Sequence, residues 1–546
     1  MSRPIVPSRR DFIRFGTAAL GGTTLPHWAV AQSAPGLIAS DATRPAAMQG
    51  LQFGDPSQGA TLVWSRADRP SRMVVEWSLD RQFQQATRLL GPDALEVTDF
   101  TARQDITGLP ENREVFVRVS FQSLANSRAL SEPVVGRFVT PPFGREGDEG
   151  WHRGHRHATD LRFVWGGDTA GQGWGINPAF GGMKIYEAMR RRQPRFFIHS
   201  GDTIYADGPI RESVVAENGQ PWQNIVTPEV AKVAETLDEF RGRYRYNLID
   251  DNVRRFNAEV PQIWQWDDHE IVNNWSGSKD LSADTRYTEK NVPLLVARGT
   301  RAFLDYAPMR PFDAREAQRV YRRFSHGPLL DVFVVDMRSY RGPNTDNLQP
   351  VPGADTAFLG REQLDWLKRG LDGSRAVWKV IAADMPIGLN IGDGNTLSGL
   401  PRWEAIANGN ASGPLGRELE IAELLRFIRH QRVRNTVWLT ADVHYCAAHY
   451  YDPQRAAFND FEGFWEFVSG PLNAGSFGPN TLDGTFGPQV VFSKAPPAGQ
   501  VNLSPLAGLQ FFGEVNIDAR SAALTVDLRD LGGASVFSKT LAPRFG

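Results

Sequence analysis

Asp202 and Tyr205 stand three residues apart in the stretch Arg195–Gly208, which reads RFFIHSGDTIYADG. The apolar run Phe196–Ile198 has the profile of a buried strand, and Ser200-Gly201 breaks it. A carboxylate and a phenol just past a strand end are hard oxygen donors suited to Fe³⁺, Mn²⁺ or Ca²⁺. Other strand ends repeat the design. Asp168 closes LRFVWGGD; Asp267, Asp268 and His269 follow QIWQW, with Asn273 and Asn274 close behind; Asp384 ends KVIAAD; Asp442 and His444 close VWLTADVH. One strand-terminal Asp is unremarkable, because Asp caps helices and starts turns. Gathered at one end of a sheet, these carboxylates would repel one another, and a pair of bound cations removes that repulsion.

The elements that position them follow from periodicity. From Leu161 the pattern alternates strand and helix, with helices expected at Met183–Arg192, Val230–Tyr246, Tyr287–Tyr306, Arg361–Arg369 and Arg417–His430. The tail from Phe461 is β-rich with Gly-Pro turns, so the expectation is a layered α/β domain with central mixed sheets flanked by helices. Before it, ATLVWSRA, SRMVVEWSL, REVFVRVSF and GRFVTPP are short alternating runs that predict an all-β immunoglobulin- or fibronectin-like sandwich over residues 32–142. Residues 143–160 read as a polar linker whose histidines, His152, His155 and His157, lack the thiolates or carboxylates of a fixed zinc geometry. Residues 161–546 form the expected catalytic part.

The 546 residues exceed one ordinary domain, and 41% hydrophobic with 22% charged residues is a soluble globular composition. A net charge of −2 gives no global attraction to nucleic acid or anionic lipid. With one cysteine, Cys446, no internal disulfide is available, and a lone thiol in a strand reads as buried and inert. Residues 1–31 resemble a twin-arginine signal: Ser8-Arg9-Arg10-Asp11-Phe12, a weak apolar stretch from Phe15 to Leu25 too short for a permanent span, and the small-x-small site Ala29-Val30-Ala31. The expectation is export by the twin-arginine machinery to the periplasm or extracellular space, with no membrane span in the mature chain.

SGDTIYADG, WDDHE followed by NNW, VVDMRSYRG and TADVHY, in this order, resemble the alkaline phosphatase D (PhoD) family of the calcineurin-like metallophosphoesterases. The resemblance covers nearly the whole mature chain and implies the metallophosphoesterase fold. It also implies roles: Asp202 bridging two metals, Asp168, Tyr205 and His444 completing the Fe³⁺-like position, and Asp268 and Asp442 holding the second with Asp384 or Asn273. His269 would face the leaving-group oxygen. The best-known members carry a cysteine where this chain has Asp168, and a carboxylate there favours oxygen-loving ions. Fe³⁺ with Ca²⁺ is the pairing the family suggests; Mn²⁺ and Zn²⁺ stay open.

Two such metals would turn a water into a nucleophile and draw charge from the phosphoryl oxygens, while His269 protonates the departing oxygen. Arg338 and Trp403 are the candidate substrate contacts, an Arg fork suiting phosphate and Trp403 leading a Gly/Asn-rich wall or lid. Arg341 shares the setting of Arg338, a salt-bridged structural role being the favoured reading for both over phosphate contact, and His199 reads as a supporting residue. The reading is a secreted hydrolase of phosphate monoesters, possibly diesters, acting on a small substrate. The alternatives are a phosphodiesterase or nuclease, disfavoured because no Lys/Arg-dense patch borders the motifs, and a non-catalytic glycan-binding protein.

Overall fold

Strand Leu161–Gly166 shows why the domain takes layers: Phe163 and Trp165 face one apolar core while Val164 faces another. Strand Phe197–Ser200 does the same, with Ile198 on one side and Phe197 on the other. Strands apolar on both faces must be covered on both. A computed structural model describes residues 44–142 and 159–545. The twin-arginine stretch, the sandwich's expected first residues and the linker histidines His152, His155 and His157 lie outside the described residues.

Two mixed sheets share one core. The nine-stranded sheet runs, in spatial order, Ser535–Leu541, Leu524–Asp530, Phe511–Ile517, Leu161–Gly166, Phe197–Ser200, Gln262–Gln265, Leu51–Ser57, Ala60–Arg66 and Thr101–Thr107. The seven-stranded sheet runs Arg322–His326, Leu330–Val334, Trp378–Ala382, Thr436–Thr440, Phe464–Val468, Cys446–Tyr451 and Pro488–Lys494. Phe163, Trp165, Ile198 and Ile263 of the first pack with Val332, Val380, Val437 and Phe467 of the second. Helices Lys184–Arg191, Leu237–Asn247, Asp251–Asn257 and Val292–Tyr306 cover the outer face of the larger sheet, and Arg361–Asp372 and Glu418–His430 that of the smaller. The result is helix, sheet, sheet, helix.

Helix boundaries differ from the periodicity where capping chemistry decides. Leu237–Asn247 starts at Thr236 and not at Val230, because Thr236 and Glu239 form a reciprocal capping box. Val292–Tyr306 starts five residues after Tyr287, with Asn291 as the N-cap and Pro293 in the first turn. Asp251–Asn257, capped by Asp250, was not visible in the apolar pattern.

The regular elements between residues 51 and 139 are strands apart from one short 3₁₀ turn, Glu96–Thr98. Strands Thr87–Ala94, Ser71–Ser78, Glu114–Ser123 and Val134–Val139 make a four-stranded antiparallel sheet. Its partner layer, Leu51–Ser57, Ala60–Arg66 and Thr101–Thr107, is continuous with the rest of the nine-stranded sheet, since Gly54 pairs with Gln262 in parallel register. From Pro45 on, the described residues accordingly form one compact unit. Among the described residues no helix is long and apolar enough to cross a membrane.

Candidate metal centre

Every acidic strand end picked out by spacing arrives at the carboxyl edge of a parallel strand. Leu161–Gly166, Phe197–Ser200 and Gln262–Gln265 are mutually parallel in one sheet, and Trp378–Ala382 and Thr436–Thr440 in the other. Asp168, Asp202, Asp267 and Asp268, Asp384, and Asp442 follow these strands, at the edge where α/β sheets hold ligands. The loops are laced together: Asp168 N donates to Gly201 O at 3.2 Å and Thr169 N to Asp202 O at 2.9 Å. From behind, the buried His199 imidazole reaches Thr169 Oγ1 at 2.8 Å and, less closely, Thr203 Oγ1 at 3.5 Å, so one ring touches the residue after each of Asp168 and Asp202.

Four of these residues hold left-handed backbone conformations that non-glycine residues seldom adopt: Asp168 (φ 65°), Asp202 (φ 52°), Asp442 (φ 66°) and His444 (φ 62°). Such strain concentrates at functional sites, where the surroundings enforce it. At Asp168 the carbonyl oxygen accepts from the backbone N–H groups of Leu472, Asn473 and Ala474, at 3.0, 3.1 and 3.2 Å. Gly470 leaves room for the side chain, since a Cβ there would stand 2.2 Å from Asp168 Oδ2.

Among the described residues three overlapping groups bring one ligand atom each to within 4.8 Å of the others: Asp168, Asp202 and His444; Asp202, Asp268 and His269; and Asp267, Asp268 and Asp442. Asp202 and Asp268 each belong to two groups, the geometry of shared ligands. Tyr205 joins the first through its hydroxyl, 2.9 Å from His444 Nε2. His444 Nδ1 bonds Gly475 O, which leaves Nε2 as the lone-pair nitrogen facing the carboxylates. Burial pushes this imidazole down to about 4, so it is neutral, as a metal ligand must be.

The carboxylates carry the strongest sign of a cation. Asp168 Oδ1 and Oδ2, Asp202 Oδ2, Asp267 Oδ2, Asp268 Oδ1 and Asp384 Oδ1 are buried with no hydrogen-bond partner. Buried polar atoms are ordinarily paired. Burial first, and then the neighbouring acids, raise Asp168, Asp202, Asp384 and Asp442 well above the usual carboxylate range. Divalent or trivalent cations fit both facts: oxygen-rich ligands, one imidazole, and lone pairs with nothing else to bind.

The remaining predicted residues sort differently. His269 Nδ1 lies 2.7 Å from Asp207 Oδ1 while Nε2 stands 3.9 Å from Asp268 Oδ1, so one edge of the ring is anchored and the other faces the acids. Burial pushes His269 down, but Asp207 and Asp268 outweigh it and raise it to about 9. Asp384 sits outside the three groups and contacts Arg338 at 3.3 Å. Asn273 is exposed and uses its backbone N–H on Asp207 Oδ2 at 2.9 Å; its neighbour Asn274 donates its backbone N–H to Asp268 Oδ2. Trp403 is half-buried on the short strand Pro401–Trp403, its ring against Gly409.

Arg338 departs from the expected substrate contact. It is fully buried, its guanidinium spent on Asp267 (Nε to Oδ1, 2.6 Å), Asp384 and Glu404. Glu404 also binds Arg341 at 2.8 Å and accepts from Asn344 at 2.7 Å, and its carbonyl accepts from Arg417 at 2.8 Å. These arginines neutralise an acidic wall. Cys446 is buried away from any of the three groups, and burial pushes its thiol up to about 12.

Three residues of the site were not assigned a role from spacing. Asp267 pairs with Arg338 and closes the third acidic group. Asp207 orients His269. Glu270 accepts from the backbone N–H groups of Asp202 (3.2 Å), Thr203 (2.6 Å) and Asp267 (2.8 Å), clamping two acidic loops. All three lie inside the motifs SGDTIYADG and WDDHE, and their acidity was the available signal.

Structurally, the chain resembles PhoD over 92% of its length and 90% of that chain, with TM-score 0.65 and 19% identity. It resembles a purple acid phosphatase from yellow lupin (Lupinus luteus) seeds over 92% of its length and 74% of that chain, with TM-score 0.54 and 11% identity. The fold is therefore that of phosphatases built on paired mixed sheets with flanking helices. By sequence, residues 163–528 match the PhoD-like phosphatase family and residues 30–142 match the PhoD-like phosphatase N-terminal domain, so the chain belongs to the PhoD-like phosphatase family. Alkaline phosphatase D of Bacillus subtilis (strain 168) is 28% identical over 269 residues, a stretch that spans 47% of this chain and 42% of that enzyme.

Proposed function

We propose that this protein is an exported, metal-dependent phosphatase that hydrolyses small phosphate esters, monoesters foremost. The observation that carries the reading is the set of orphaned buried carboxylate oxygens in three interlocking groups that share Asp202 and Asp268. Asp168, Asp202, Tyr205 and His444 would hold one cation, and Asp202, Asp268 and Asp442 with Asp267 the second; Asp384 or Asn273 would complete it only after rearrangement. Fe³⁺ with Ca²⁺ is the pairing the family resemblance suggests, with Mn²⁺ or Zn²⁺ as the other candidates. Bound cations would supply Lewis acidity toward the phosphoryl oxygens and a water acidified to near-neutral pKa.

The chain's own groups supply the rest. His269, held by Asp207 and protonated at neutral pH, gives its proton to the departing alkoxide, a step worth roughly 10²–10⁴-fold. Arg338 and Glu270 hold the acidic loops in place. Trp403 forms part of the wall beside the substrate. Residues 1–31 serve as a twin-arginine signal, residues 32–142 as the N-terminal β-sandwich of immunoglobulin or fibronectin type, 143–160 as a linker and 161–546 as the catalytic domain. Replacing Arg9 and Arg10 with Lys leaves active precursor in the cytoplasm if this is right; unchanged export removes the signal reading.

The deciding experiment is elemental analysis of protein purified without added metal, with rates on a phosphate monoester, a bis-ester and single-stranded DNA before and after chelation. Monoester hydrolysis that disappears with chelator and returns with cation is expected. Preference for the bis-ester or DNA would make the protein a phosphodiesterase or nuclease. Metal-free protein with no hydrolysis would leave a non-catalytic binding protein.

A further inference from the structure

The β-hairpin formed by Gly392–Asn395 and Pro401–Trp403 is fastened to the candidate metal centre through Asp393. Asp393 accepts from Asn274 Nδ2 at 2.8 Å and from Asn344 Nδ2 at 3.0 Å, and Asn274 in turn holds Asp268 through its backbone N–H. Arg402, on the hairpin's second strand, donates from Nε to Asp393 O at 2.8 Å and lies 3.0 Å from its carboxylate through that same nitrogen. Its two terminal nitrogens make no hydrogen bond among the described residues, and a third of the side chain is open to solvent. Lys279 stands on the neighbouring residue, its Nζ on Asn273 O, and is half-buried.

The other cations around the site are already engaged. Arg338, Arg341 and Arg417 are buried on Glu404 and its carbonyl, and Arg286 is shared between Asp284 and Asp207 O. Asp393 meets Arg402 through Nε alone, so both terminal nitrogens keep their donors for another acceptor. A guanidinium fork pinned at Nε and open at both Nη groups is preorganised for an oxyanion. Three hydrogen bonds link it to Asp268, through Asp393 and Asn274, which sets it on the hairpin beside the centre and not among the candidate ligands.

We infer that Arg402 and Lys279 form an anion-binding rim that selects phosphate esters carrying a second, non-scissile phosphate, phosphonate or carboxylate. The inference rests on the phosphatase reading above and deepens it. The test compares phenyl phosphate with 4-(phosphonomethyl)phenyl phosphate, whose phosphonate is not cleaved. Wild-type protein is expected to favour the second about tenfold in kcat/KM, through KM, in keeping with one charge-assisted hydrogen bond, and the preference shrinks as salt rises. Arg402→Gln collapses the ratio toward one and Lys279→Gln reduces it. Arg402→Lys keeps part of it, which separates lost charge from a lost hairpin. Equal kcat/KM for the two esters in wild type, or an equal loss on both in Arg402→Gln, overturns the rim while leaving the phosphatase reading standing. Wild-type protein that, loaded with metal, hydrolyses neither ester overturns both.

Discussion

Asp207 Oδ1 lies 2.7 Å from Nδ1 of His269, although 62 residues separate them in the chain. The carboxylate fixes the ring and stabilises its charged form. Burial pushes Asp207 up, but His269 outweighs this and brings it to about 2, so the pair is ionic across the neutral range.

Asp207→Asn should therefore lower the imidazole's affinity for its proton. If His269 works as an acid, the alkaline limb of kcat moves to lower pH, and turnover falls most for alkyl esters, whose leaving groups need the proton. His269→Asn should retain the metal and lose roughly 10²-fold or more on such esters. A pH–rate profile of each variant on alkyl and aryl esters checks this; unaltered limbs would take the pair out of the mechanism.

Metal removal should make stability depend on pH with a definite sign. Burial raises Glu270 to about 8, and burial with neighbouring acids raises Asp168, Asp202, Asp268 and Asp442. A carboxyl group whose folded pKa exceeds its unfolded value stabilises below the unfolded value and loses that contribution as pH rises through the folded one. Chelated protein should thus melt lower at pH ~9 than at pH ~5–6, and added cation should restore Tm more at the alkaline end. Thermal melts with and without cation decide it. A chelated protein that is more stable in base would contradict the raised carboxyl values.

Gly470→Ala tests the room left for Asp168. The new Cβ would collide with Asp168 Oδ2 and displace a candidate ligand already held in a strained backbone. Metal content should drop while circular dichroism keeps its native form. Full metal loading at unchanged affinity would show that Asp168 is not a ligand.

Glu404→Gln tests the arginine wall. Glu404 is buried, and although burial pushes it up, Arg338, Arg341 and Arg417 bring it to about 2. Removing one charge of a buried cluster leaves its partners uncompensated and costs about 3–5 kcal/mol. Denaturant melts should show that loss, and Arg338, freed from Glu404, should bind Asp267 and Asp384 less firmly, lowering metal content. A loss below about 1 kcal/mol would mean the cluster relaxes around the change.

Residue types and strand-end positions were legible in the chain alone because both are local. Short apolar runs placed buried strands where the structure has Phe197–Ser200, Gln262–Gln265 and Thr436–Thr440, and the acids at their ends followed from reading a few residues at a time. Helix starts were misplaced where capping outweighs periodicity, as at Thr236. The N-terminal strands were visible, but their merging with the nine-stranded sheet was not, because the Gly54–Gln262 pairing spans distant parts of the chain and leaves no local pattern.

What the chain by itself determined is the chemistry on offer: hard oxygen ligands, two histidines and a shared edge for them. Only the tertiary structure decided who meets whom. It turned Arg338 from a phosphate-binding candidate into the partner of Asp267, paired Asp207 with His269, and set Glu270 across two loops. The physical reason is that charge pairing acts through space. A carboxylate's role depends on which cation lies within a few ångströms of it, and that neighbour is chosen by packing two sheets against each other.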